Sequence, residues 1–106
     1  MGVMLNMKRV THKCQPAARR ALAAALVSIS DADEMETFLD ELLTCGELCD
    51  ITLRWRLLEL LAQGVSQRKI AEDLQISLCK ITRGSRILRN KNAMSSKLLK
   101  ASRAKD

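Results

Sequence analysis

An all-α chain is predicted, and three observations predict it. Apolar residues recur at i, i+3, i+4 and i+7 through the middle of the chain, the spacing of one helix face. Helix-start patterns stand at the head of successive segments. No stretch alternates with the period of a strand, and there is no internal repeat. Phe38 and Trp55 are the only aromatics among 106 residues, so the core must be built from Leu, Ile, Ala and Val. A small helical chain of this kind often completes its core against another copy, and a homodimer is expected.

The elements follow in order. Residues 1–14 have no clean period and read as a mobile leader. A helical domain is expected over 15–90, and 91–106 forms a basic C-terminal segment or a last helix, hinted at by Ala93, Leu98 and Leu99. In "QPAARRALAAALVSI", Pro16 suits a first helical position and the alanines favour helix. In "SDADEMETFLDELL", Asp31 with Glu34 resembles a capping box, and acids crowd the turn where the helix dipole favours them. Met35, Phe38, Leu39, Leu42 and Leu43 then form its apolar stripe. Thr44 and Glu47 make another capping box ahead of "CGELCDITLRWRLLELLAQ". That helix is apolar over so much of its circumference that burial on several sides is expected, with Trp55 in the core stripe. Gly64 is placed to end it.

Charge is distributed unevenly. The net is +6, yet residues 21–63 carry nine acids against Arg54 and Arg56, and no carboxylate occurs from Leu74 to Lys105. A basic half beside an acidic one suits a polyanion partner. The four cysteines lack the spacing and companions of a zinc site, so no metal is expected. Without a signal-peptide pattern or a membrane-spanning run, the chain reads as cytoplasmic with free thiols. No nucleophile–base pair, paired carboxylates or phosphate-cradling glycine loop points to an enzyme.

Residues 66–89 carry the most specific pattern. Ser66 can cap a short helix holding Ile70, Ala71 and Leu74, and Ser77 can cap the next, holding Leu78, Ile81 and Leu88. Helices joined by so short a turn must cross steeply, as in a helix-turn-helix reading head for double-stranded DNA. Gln75 stands where the turn commonly has glycine, and a left-handed conformation there would cost about 1 kcal/mol. Arg68, Lys69, Lys80, Arg83, Arg86 and Arg89 are candidates for phosphate contacts. Ser77, Leu78, Cys79, Lys80 and Thr82, near the start of the second helix, are candidates for base edges. An ordinary helical hairpin is the plainer alternative. Gly84 interrupts that helix at roughly 1 kcal/mol relative to alanine, so something must need the position bare.

"SQRKIAEDL…KITRGSRIL" resembles the tryptophan repressor family, whose pattern is S-Q-R-E-[LI]…I-T-R-G-S-N-x-L. The resemblance runs from about Met35 to Leu88. It implies an intertwined helical homodimer that binds operator DNA, with L-tryptophan as corepressor between the central helices and the recognition helix. On this resemblance Thr44 meets the ligand carboxylate, Arg54 and Arg83 flank the indole, and Gly84 is the platform under the ring. Backbone carbonyls near Glu41 and Leu43 hold the ammonium group. Stacking of arginine on indole and its pairing with a carboxylate fit that assignment. Close helix approach at Gly84 and an Arg54–Asp50 surface pair are the alternatives.

Two departures from the family stand out. Ile87 replaces a serine whose hydroxyl helps hold the ammonium group, and "AQGVSQR" is one residue shorter than in the best-known members. The function expected is a corepressor-dependent transcriptional repressor, without a further cofactor, of tryptophan biosynthesis or transport genes. A DNA-binding regulator of the same fold with another effector or none is one alternative. A helical protein–protein adaptor is another.

Overall fold

Six helices occupy residues 14–105, the part of the chain that the structure, a computed structural model, describes. They are α1 (Pro16–Ser28), α2 (Ala32–Leu42), α3 (Cys45–Ala62), α4 (Gln67–Leu74), α5 (Leu78–Arg89) and α6 (Met94–Lys105), with no strand among the described residues. The all-α expectation therefore holds. Apart from Cys14, the expected leader lies outside the described residues. Among the described residues no helix is long and apolar enough to cross a membrane.

Helix boundaries follow local chemistry. Pro16 opens α1, where its missing N–H costs no hydrogen bond. The Asp31 carboxylate accepts the Glu34 N–H at 3.0 Å ahead of α2. At α3 both halves of the capping box form: Thr44 Oγ1 accepts the Glu47 N–H at 3.1 Å, and Glu47 Oε1 accepts the Thr44 N–H at 2.9 Å. These bonds, that from the Thr44 backbone first, hold the Glu47 carboxyl below its ordinary pKa. Gly64 then ends α3 at φ +86°, with its N–H donating to Leu61 O and that of Val65 to Leu60 O, both at 3.0 Å. Only a residue free of Cβ reaches that conformation without strain.

The described residues divide into two compact units, one ending at Leu42 and one beginning at Leu43. The first holds α1 and α2, and neither helix has a buried residue. Val27 is 84% exposed. The second holds α3 to α6 around a core of Leu57, Ile70 and Ile81, with Leu60, Ala71 and Ile76 among the residues packed on it. Helix α3 packs against α4, α5 and α6, which places the α4–α5 pair on one side of it. Burial of α3 on several sides is not what a single chain provides. Leu57 is its one buried residue, and Ile51 and Trp55 stay exposed because α4 to α6 cover only the Leu57 side. The C-terminal segment resolves into a helix: α6 packs on α5 and α3, and Leu99 is buried.

The α4–α5 turn is the strained point. Ser66 and Ser77 cap the two helices, accepting the N–H groups of Lys69 at 3.2 Å and Lys80 at 3.3 Å. Gln75 sits between them at φ 53°, ψ 48°, the only non-glycine residue at positive φ among those described. The left-handed conformation costs a side-chain-bearing residue on the order of 1–2 kcal/mol, and glycine recovers it less about 0.4–1 kcal/mol of unfolded-state entropy. Gln75→Gly is therefore expected to raise unfolding free energy by about 0.5–1 kcal/mol in urea denaturation, with an unchanged m-value. A destabilised Gln75→Gly would contradict the strain.

Candidate functional site

Two helix faces meet to form a cleft. Arg54, Leu57 and Leu58 recur at i, i+3 and i+4 on α3, so they form one ridge. On α5, Lys80, Arg83, Gly84 and Ile87 form the facing ridge by the same periodicity. The cleft between them has a volume of about 440 Å³, within the range of small-molecule sites. Its walls combine aliphatic surface from Leu57, Leu58 and Ile87 with three cations, Arg54, Lys80 and Arg83. Among the described residues no ion pair involves any of these cations, so the Arg54–Asp50 surface pair is not formed.

Gly84 answers to close packing. A Cβ there would lie 3.2 Å from Leu57 Cδ2 and Leu61 Cδ1 and 3.3 Å from Leu58 Cδ2, tighter than ordinary van der Waals contact. The bare position lets α3 and α5 approach, and the same glycine lines the cleft. The close-approach reading thus accounts for the glycine by itself, because the side chains of Leu57, Leu58 and Leu61 already fill the space a Cβ would take.

The outer face of α5 forms a shallower groove of about 320 Å³ bordered by Leu78, Cys79, Thr82, Arg83 and Arg86. Arg83 borders both the cleft and this groove. Leu78 is 60% exposed at the first residue of α5, an apolar side chain with no core role.

Several expected site residues lie elsewhere. Thr44 does not line the cleft. It is the N-cap of α3, ten residues before Arg54, which places it about 15 Å away along the helix axis at 1.5 Å per residue. Leu43 is half-buried in the link before it, and Glu41 is exposed in the last turn of α2. Ser77 commits its hydroxyl oxygen to the cap of α5. Lys69 pairs with Asp73 at 3.4 Å, an exposed contact worth little, and Arg68 is exposed on the first turn of α4. Lys80, expected at base edges, lines the cleft instead. Sequence reasoning misses Leu57 and Leu58 as cleft walls, although their i+3 and i+4 spacing from Arg54 is a usable signal. The four cysteines are free and exposed, and no metal-binding cluster occurs among the described residues.

A basic pair of short helices beside a ligand-sized cleft defines a small helical regulator. The family model described as Trp repressor protein matches residues 18–103. The chain belongs to the Trp repressor family, a family of regulators and not of enzymes. It is 38% identical over 72 residues to a Trp operon repressor homolog of Xylella fastidiosa strain M23, covering 67% of this chain and 78% of that protein. It is 34% identical over 70 residues to a Trp operon repressor homolog of Chlamydia trachomatis serovar L2, covering 61% and 74% of the two. No solved structure matches it significantly.

Proposed function

We propose that this chain is a homodimeric, sequence-specific DNA-binding repressor that uses L-tryptophan as corepressor and acts on genes of tryptophan biosynthesis or transport. The observation that carries the reading is the position of Arg83, which borders both the cleft and the outer groove of a family member. In this reading α4 and α5 are the helix-turn-helix, and the outer face of α5 enters the major groove. Leu78, Cys79 and Thr82 meet base edges there, while Arg68, Lys69 and Arg86 meet phosphates. Ligand in the cleft favours the DNA-competent setting of α5 only because it binds that setting better.

Dimerisation is supported by what a single chain leaves uncovered. Leu22, Val27, Ile51, Trp55 and Leu98 are all exposed, and Leu57, Ile70, Ile81 and Leu99 are the buried hydrophobics among the described residues. Thr44 lies about 15 Å from Arg54 along the axis of α3, so one chain does not bring the two residues to the same point of the cleft.

The test is selection of DNA sequences from a random pool by the full chain, with and without L-tryptophan, at 50 and at 200 mM salt as probe conditions. Ligand-dependent enrichment of one sequence class is expected, with affinity falling on the order of 10³-fold or more between the two salts. Equal retention of all sequences, insensitive to salt and ligand, would overturn the reading and favour a protein adaptor. Ile87 supports a second reading, the same regulator with another effector, because an isoleucine side chain cannot hydrogen-bond an ammonium group.

A further inference from the structure

The outer face of α5 changes character along its length. Leu78, Cys79 and Thr82 border one end of its groove, and Arg83 and Arg86 continue it toward the C-terminus of the helix. Leu78 and Thr82 are four residues apart and Cys79 and Thr82 three, so the three side chains form one continuous patch on the helix surface. All three are exposed, and none belongs to the core. A lone exposed leucine is ordinary on a protein surface. This one is the first residue of α5, in the part of a helix-turn-helix that meets base edges, and it has a thiol and a threonine methyl group beside it.

The geometry points to this patch as a reader of thymine methyl groups, with Leu78 as the side chain that determines specificity, so that the operator carries a thymine opposite the start of α5. The inference rests on the outer face of α5 being the DNA-reading face of the proposed repressor. The major groove presents hydrogen-bonding atoms at every base pair but an apolar group only at thymine, its C5-methyl. The Leu78 side chain has no hydrogen-bonding atom, so it discriminates among base pairs only by shape and by what it takes out of water. Against the methyl group, two apolar surfaces leave water together, which is favourable. Against the edges of guanine, adenine or cytosine, the leucine would cover a donor or acceptor without pairing it, which costs free energy. Thr82 adds its own methyl group to the patch, and Cys79 a thiol that behaves as a small hydrophobe. Arg83 and Arg86 carry the positive charge that suits backbone phosphates, so the groove matches an apolar base edge and an anionic backbone in succession.

Removal of single methyl groups from the DNA tests it. The probe is the duplex that the full chain enriches from a random pool, with L-tryptophan present and absent, resynthesised with one thymine at a time replaced by deoxyuridine. The exchange deletes the C5-methyl and leaves the hydrogen-bonding atoms of the base pair in place. Fluorescence anisotropy is expected to show about fourfold weaker binding for at least one such exchange, the fold-change that burial of one methyl group represents. A C·G pair at that position should bind more weakly still, and 5-methylcytosine in place of the cytosine should recover about fourfold by returning the methyl group. Leu78→Ala should bind the thymine and uracil duplexes within about twofold of each other, as expected when the two groups removed are in contact. Arg86→Gln should weaken both duplexes alike and preserve the difference between them. Equal binding of the thymine and uracil duplexes at every position would overturn the inference. So would a uracil penalty that persists in Leu78→Ala, since the methyl group would then act through the shape of the DNA itself, or a penalty lost as fully in Arg86→Gln. Each of these results, obtained on an enriched sequence, would leave the DNA-binding reading standing. Failure to enrich any sequence would overturn that reading and the inference with it.

Discussion

Replacing Arg83 by leucine is expected to lower effector affinity by about a hundredfold and to make operator binding the same with and without ligand. The size follows from two interactions that leucine cannot make. A charge-assisted hydrogen bond to a carboxylate contributes about 1.5–3 kcal/mol, and a cation over an aromatic face about 0.5–2 kcal/mol. Taken together toward the lower part of both ranges they reach the roughly 2.7 kcal/mol that a hundredfold represents. Because Arg83 also borders the outer groove of α5, DNA affinity without ligand should fall too, and the salt slope should flatten by about one unit if one phosphate contact disappears. Arg83→Lys separates the two contributions, since it keeps the charge and loses the planar fork. Calorimetry reads the ligand side, and fluorescence anisotropy with operator DNA at several salt concentrations reads the other. Undiminished ligand dependence of operator binding in Arg83→Leu would sink the coupling role.

Arg83 sits where local and long-range information meet, and the two differ in how far a sequence carries them. Caps are local chemistry, so Thr44 with Glu47, Ser66 and Ser77 can be read directly, and each accepts the hydrogen bond expected of it. The cost at Gln75 is legible for the same reason, because a turn this short dictates a backbone conformation whatever residue occupies it. Gly84 marks a close approach but does not say to what. Its neighbours Leu57, Leu58 and Leu61 lie more than twenty residues away in sequence, and only packing reveals them. Lys80 reads as a DNA contact because its neighbours at the start of α5 face outward. One helical residue is a rotation of about 100°, which is enough to turn it into the cleft instead. The apolar stripe of α3 announces that several faces want covering. Periodicity does not distinguish a face covered within the chain from one left open, and Ile51 and Trp55 are open.

Ile81→Ala is expected to cause the largest loss of stability of any single truncation in the second unit. Among the described residues Ile81 and Ile70 are the two large side chains with no exposure at all, and with Leu57 they form the centre on which α3, α4 and α5 meet. Truncating a buried isoleucine to alanine costs about 2–5 kcal/mol, because the transfer free energy is lost and a cavity remains. A domain of this size has about 5–15 kcal/mol in total, so the loss is a large share. At about 4–8 °C per kcal/mol, the melting temperature should fall by roughly 10 °C or more. Ile81→Val, which removes one methyl group, should cost only about 0.5–1.5 kcal/mol. Leu78, three residues earlier on the same helix and 60% exposed, provides the contrast: Leu78→Ala should change stability by less than about 0.5 kcal/mol. Melts followed by circular dichroism must be repeated over a range of protein concentration, since a dimer gains apparent stability by mass action. The ranking carries a functional consequence. Arg83 and Gly84 reach the cleft only while Ile81 pins α5 against α3 and α4, so the Ile81→Ala variant should lose ligand and operator binding together as it melts. Leu78→Ala should keep ligand binding and alter only the choice of DNA sequence. A wild-type melting temperature for Ile81→Ala would mean that another surface, not this three-helix junction, holds α5 in place.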